Sequence, residues 1–82
     1  MPEEIIMYGT TWCPDCHRAK SFLNSHNISF KWIDIGMDAA ATLEVVLMNK
    51  GNRSVPTIVF PDGSIIVEPS NAELEKKLNT QS

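Results

Sequence analysis

Short apolar runs and helically spaced apolar residues take turns along the chain, each closed by a turn or capping residue. Ile5, Ile6, Met7 and Tyr8 form an apolar run ended by Gly9 and two threonines, which predicts a buried strand followed by a loop. Pro14 suits a first helical turn, where its missing N–H is no loss; Ala19, Phe22 and Leu23 then mark one apolar face, and Asn24 to Asn27 supply a stop. Phe30, Trp32 and Asp34 alternate with Lys31, Ile33 and Ile35, which predicts a second strand from Ser29 to Ile35, interrupted by Gly36. In the next helix Asp38 is the candidate N-cap, Leu43, Val46 and Leu47 supply the helical spacing, and Lys50, Gly51 and Asn52 the stop. Thr57 to Phe60 and Ser64 to Val67 flank Pro61, Asp62 and Gly63 and read as an antiparallel hairpin. Ser70 caps a last helix through Leu74 and Leu78, with Glu73 as its capping-box partner.

The order strand-helix-strand-helix-strand-strand-helix predicts an α/β fold: a mixed four-stranded sheet, its first two strands parallel, with helices on both faces. A chain of 82 residues without internal repeats or a Gly/Ser linker is expected to form a single domain over residues 1–82. Seven Lys and Arg against ten Asp and Glu leave a net charge of -3, which argues against nucleic acid as a partner. No apolar run is long enough to span a bilayer, and the first four residues carry acid where a secretion signal needs base, so a cytoplasmic protein without membrane contact is expected.

Cys13 and Cys16 are the whole thiol inventory. A disulfide between them closes too small a loop to staple a domain. Helical spacing instead places the two on one face, within reach of making and breaking a disulfide. At the helix start, unpaired N–H groups and the helix dipole favour a Cys13 thiolate, whereas Cys16, one turn deeper, gains less. That asymmetry suits attack by Cys13 on a substrate disulfide, followed by attack of Cys16 on the mixed disulfide. Asp15 between them opposes the thiolate by its charge. A metal or iron-sulfur site would need ligands from a second chain or an added molecule, because His17 and His26 complete no zinc pattern.

The stretch Thr11-Trp12-Cys13-Pro14-Asp15-Cys16 with His17-Arg18-Ala19-Lys20, and later Gly51-Asn52-Arg53-Ser54-Val55-Pro56-Thr57, resembles the glutaredoxin family of the thioredoxin fold. The second motif, the Pro61-Asp62-Gly63-Ser64 turn and Pro69-Ser70 are similar to mycoredoxins and related bacterial glutaredoxin-like proteins. The resemblance implies a thiol-disulfide oxidoreductase that reduces protein disulfides or mixed disulfides with low-molecular-weight thiols. It implies a monomer with no tightly bound cofactor, supplied with electrons by mycothiol, glutathione or a flavoprotein reductase. Two alternatives stay open within it: an NrdH-type electron donor recharged by thioredoxin reductase, and an iron-sulfur-binding relative.

Residue by residue, the resemblance makes Pro56 cis and sets it against the cysteines, with the Val55 backbone pairing with the bound thiol substrate like an added strand. Arg53 matches a basic side chain for a substrate carboxylate, or is a solvated loop arginine. Ser70 and Asn71 match the helix start that receives the other end of a small thiol, although Ser70 is also explained as a plain N-cap. Trp12 is either a flat protein-contact surface or a partly buried aromatic. Glutathione-dependent members carry a basic residue three before the nucleophile, an aromatic between the cysteines and paired glycines before the last helix. Thr10, Asp15 and Val67-Glu68-Pro69 stand there instead, and the Glu68 charge disfavours an anionic tripeptide.

Overall fold

The computed structural model describes residues 4–51 and 54–81. The chain runs β1 (Ile5–Gly9), α1 (Pro14–Ser25), β2 (Phe30–Asp34), α2 (Ala39–Met48), β3 (Thr57–Val59), β4 (Ile65–Val67) and α3 (Asn71–Gln81). This is the order expected from the sequence. The strands lie side by side as β2-β1-β3-β4. The helical crossover makes β1 and β2 parallel, and the other two pairings are antiparallel.

Strand alternation divides the apolar residues between two faces. Ile5, Met7, Ile58 and Phe60 pack with Ala19 and Leu23 of α1 and Leu74 of α3, bordered by the half-buried Phe22, Phe30 and Trp32. On the opposite face Tyr8, with Ile6, Ile33 and Val59 beside it, meets Ala41 and Val45 of α2. Helices therefore cover both faces, two on one and one on the other.

The helix ends use the capping chemistry legible in the sequence. Asp38 accepts from the Ala41 N–H at 3.1 Å. At the start of α3, Ser70 Oγ accepts from the Glu73 N–H while Glu73 Oε1 accepts from the Ser70 N–H, both at 3.1 Å, a complete capping box. At the end of α1, Asn27 takes a left-handed φ of 57° and the Ile28 N–H reaches back to the Leu23 carbonyl at 2.9 Å. Lys50 and Gly51 close α2 the same way, with the Gly51 N–H on the Val46 carbonyl. Both stops are Schellman motifs, which satisfy carbonyls the helix leaves over.

The apolar spacing expected for α2 requires correction. Ala41 and Val45 face the sheet, whereas Leu43 and Leu47 are 59% and 72% exposed. The segment Ala39–Met48 is apolar on nearly every side, so periodicity does not single out one face. Tertiary bonds choose it: Tyr8 Oη donates to Glu44 at 2.8 Å and Thr42 Oγ1 donates to the Ile35 carbonyl. Small Ala41 and branched Val45 then let the helix lie close on the strands. Val45→Ala is accordingly expected to cost ~2 kcal/mol through lost burial and a residual cavity. Leu47→Ser is expected to change stability by less than about 0.5 kcal/mol. Urea unfolding of the two variants checks the assignment of the faces.

Candidate active site

Cys13 is the N-cap of α1, with extended backbone (φ -87°, ψ 116°), and Pro14 occupies the first helical turn. Its side chain makes no capping bond, so the sulfur is left for chemistry at the end of the helix where N–H groups point outward. Both cysteines are free thiols; Cys13 is half-buried and Cys16 is sealed from solvent. Burial pushes the Cys16 thiol up to about 12, opposed in part by the Thr10 N–H and reinforced by its hydrogen bond with Cys13 and the charges of Cys13 and Asp15. The spacing expectation is met: the two thiols lie close enough to influence each other.

Room for Cys16 comes from a missing side chain. A Cβ on Gly9, the last residue of β1, would sit 2.6 Å from Cys16 Sγ and 2.7 Å from the Trp32 ring, closer than real contacts allow. The sulfur and the indole thus converge on the bare Cα of Gly9. Lys20, one turn after Cys16, rests its ammonium 4.1 Å from the centroid of a Trp32 ring, a cation–π contact along the helix flank. His17 is exposed and hydrogen-bonds the Thr11 carbonyl, which ties the helix to the loop before it.

Trp12 is 72% exposed, so the partly buried reading does not hold. Its ring lies over Gly36, where an added Cβ would come within 3.0 Å of it. The Gly36 turn is in turn held by an N–H bond to Asp34 Oδ1 at 2.8 Å. Met37, 86% exposed, follows directly.

The Val55–Pro56 bond is cis, as the family resemblance implies, and Pro56 is fully buried. Tyr8 pairs with Thr57 in the antiparallel register, so one step further Pro56 stands opposite Gly9, beside the residue on which Cys16 rests. Thr57 Oγ1 donates to the Ser54 carbonyl at 2.7 Å and accepts from Asn49 Nδ2 at 3.0 Å, which moors this loop to the end of α2. On the other side the Glu68 N–H donates to the Pro56 carbonyl at 2.8 Å. Glu68 holds φ at 50°, a left-handed conformation that glycine adopts more readily. Among the described residues, no hydrogen bond ends on the Val55 N–H or carbonyl.

Arg18 joins α1 to the start of α3. Its guanidinium donates to Asn71 Oδ1 and to the Pro69 carbonyl, each at 3.0 Å, and stands 3.5 Å from Asp15. The Ser70–Asn71 segment is thereby held beside the active-site helix, with Ser70 Oγ engaged in its cap and Asn71 Oδ1 taken by Arg18. The backbone N–H groups of the first turn and the Asn71 Nδ2 remain for a ligand there. Arg53 lies outside the described residues.

Gly9, Gly36 and Arg18 were not singled out by the sequence. Arg18 stood within the cysteine motif, but its partners are 51 and 53 residues away along the chain. Glycine after a strand reads as a turn signal, and nothing local announces that a sulfur and an indole share its surface.

No group of three or more His, Cys, Asp or Glu side chains able to hold a metal occurs among the described residues. A dithiol at a helix N-terminus, next to a cis proline on a mixed sheet, defines a thioredoxin-fold redox protein. The glutaredoxin family model matches residues 5–66, and the chain belongs to the glutaredoxin family of thiol-disulfide oxidoreductases. Mycoredoxin 1 of Corynebacterium glutamicum is 34% identical over 74 residues, 90% of this chain and 91% of that protein. A Mycobacterium tuberculosis H37Rv protein with a provisional glutaredoxin name is 40% identical over 74 residues, covering 90% of this chain and 88% of its own length. The crystal structure of a glutaredoxin from Archaeoglobus fulgidus superimposes with a TM-score of 0.78 at 26% identity, over 92% of this chain and 85% of that one.

Gly9→Ala is expected to destabilise the reduced protein by about 1–3 kcal/mol, because Cys16 and Trp32 must both give way. Denaturant unfolding with Trp fluorescence reads this directly. The raised Cys16 value makes a second prediction. A thiol whose folded value lies above its unfolded one adds stability below the unfolded value and loses it as pH rises. The reduced protein should therefore weaken progressively above pH ~9, toward the Cys16 value. Cys16→Ala should remove that part of the loss, as urea midpoints across the alkaline range would show.

Proposed function

We propose that this protein reduces protein disulfides and mixed disulfides through Cys13 and Cys16, taking its electrons from a low-molecular-weight thiol other than glutathione or from a flavoprotein reductase. The observation that carries the reading is the inequality of the two thiols: one at the open end of a helix, the other buried beneath it. The Cys13 thiolate attacks one sulfur of the target disulfide, and the displaced sulfur leaves as a thiolate that takes up a proton. Cys16 then loses its proton and attacks Cys13, forming the Cys13–Cys16 disulfide and releasing the second thiol. Two electrons pass from the dithiol to the target.

Trp12 on its Gly36 support offers a flat apolar surface beside Cys13 for a protein partner. The Val55 main chain, without bonds of its own among the described residues, can pair with the backbone flanking a substrate cysteine. First-turn N–H groups after Ser70 and at Asn71 suit the carboxylate or carbonyl end of a small thiol, and Arg53 is assigned the other end. The Glu68 charge immediately before this helix weighs against glutathione. The name of the corynebacterial relative, mycoredoxin, supports a thiol of another kind. Such a reductant system fits the cytoplasm.

Cys13→Ser is expected to abolish disulfide reduction, because serine supplies no thiolate. Cys16→Ser should trap protein targets as mixed disulfides on Cys13, visible as a mass adduct released by dithiothreitol. Oxidised protein offered in parallel to glutathione, a mycothiol system and thioredoxin reductase, each with its own coenzymes, identifies the reductant by the fastest recharging. Recovery with thioredoxin reductase alone would favour the electron-donor reading, and a brown purified protein with charge-transfer absorption would favour the iron-sulfur one. Glu68→Gly should raise glutathione-driven turnover several-fold by removing a like charge. It should also stabilise the fold by ~1 kcal/mol by relieving the left-handed backbone. Unchanged glutathione turnover would place Glu68 outside the substrate groove.

A further inference from the structure

Met37, Leu43 and Leu47 are 86%, 59% and 72% exposed, and the core uses none of them. Because α2 packs on the sheet through Ala41 and Val45, the exposed row Ala40, Leu43 and Leu47, at spacings of three and four residues, lies on the helix face turned to solvent. This row continues toward the cysteines. Met37 precedes the Asp38 cap of α2, Gly36 precedes Met37, and the Trp12 ring lies on Gly36. Exposed apolar surface therefore runs from the residue before Cys13 onto a helix of 10 residues, about 15 Å long. Large apolar side chains scattered singly over a surface need no explanation, whereas a contiguous run of them marks a place for a partner. The charge beside it is one-sided: between Lys31 and Lys50 the chain carries Asp34, Asp38 and Glu44 and no Lys or Arg.

We propose that this surface docks a protein that brings a disulfide to Cys13, and that the docking face of that protein is apolar with a fringe of Lys and Arg. The proposal rests on the disulfide-reducing role of Cys13 set out above and adds to it the kind of target. Two observations select this occupant. The surface begins beside the nucleophile, so a chain seated along α2 can hold its own disulfide over Cys13. The acids flanking the row match basic groups on the partner, which steers the encounter and fixes its orientation. A second copy of this chain is a poorer match, because two-fold pairing of the rows brings Glu44, in the middle of the helix, toward its own copy with no base in the row to answer it. Leu43 and Leu47 are then specificity residues: they add affinity for a protein long enough to reach them and none for a small disulfide.

The test uses the reduced full chain and three peptides. Each carries one cysteine blocked as a disulfide with an aromatic thiol that is yellow on release, followed by an amphipathic helical segment built from Leu and Lys, from Ser and Lys, or from Leu and Glu. The symmetric aromatic disulfide is the small substrate. At subsaturating concentration the Leu-Lys peptide is expected to react at least about fivefold faster than either of the others, the part of two leucine burials that survives the cost of docking. The double substitution Leu43→Ser and Leu47→Ser, which leaves the charge unaltered, should cut that advantage to less than about twofold while the rate with the small disulfide and the urea midpoint stay nearly unchanged. Equal rates for the Leu-Lys and Ser-Lys peptides overturn the proposal, as does a double variant that keeps the full advantage. A Leu-Glu peptide as fast as the Leu-Lys one overturns the basic fringe. Sedimentation that shows a dimer of the native chain and a monomer of the double variant gives the surface to a second copy and overturns the proposal as well. If the native chain released no yellow thiol from the small disulfide, the disulfide-reducing role itself would fail, independently of α2.

Discussion

Cys16 can be buried one turn below Cys13 only because β1 ends in a residue without a side chain. The bare Cα of Gly9 accepts the sulfur on one part of its surface and the edge of Trp32 on another. Because Gly9 lies within the central strand, this contact also sets how closely α1 approaches the sheet. Trp32 then presents its ring to Lys20 on the same helix, and Pro56 enters the neighbouring strand opposite Gly9. The active site is thus organised around a small vacancy in a strand rather than around a loop.

That arrangement makes the two thiols chemically unequal at little structural cost. Cys13 caps the helix with its backbone and leaves its sulfur unused by the cap, facing the dipole's positive end. Cys16 loses its hydration and is held as a neutral thiol well past neutrality. The proposed exchange needs one thiol that attacks and one that waits. Burial, supplied by Gly9, produces the difference that two chemically identical side chains could not have on an exposed helix.

The surroundings of Cys13 are assembled from segments distant in sequence, each moored by a polar contact. Thr57 and Asn49 hold the loop before Pro56, and Glu68 bonds to the Pro56 carbonyl. Arg18 clasps the start of α3 against the active-site helix. These bonds are short and mostly directed at backbone carbonyls, so they fix distances rather than add much stability.

Much of this was legible without coordinates because it is local. Strand alternation, the Asp38 and Ser70 caps, the Pro61-Asp62-Gly63 turn and the Cys13–Cys16 spacing act over a few residues, and the physics of each is present in its own segment. The element order and the location of the chemistry follow from them. What the segments could not decide was anything requiring two of them to meet. The buried face of α2 was ambiguous in a helix apolar nearly all round until Tyr8 and Ile35 bonded to Glu44 and Thr42. The tasks of Gly9 and Arg18 were invisible, since a missing Cβ matters only once Cys16 and Trp32 arrive beside it, and an arginine's partners are set by tertiary distance. Sequence by itself determined which residues carry the chemistry and on what elements; the tertiary structure decided which thiol is buried and what holds the surroundings of Cys13, because burial and long-range hydrogen bonds belong to the packed chain and not to any segment of it.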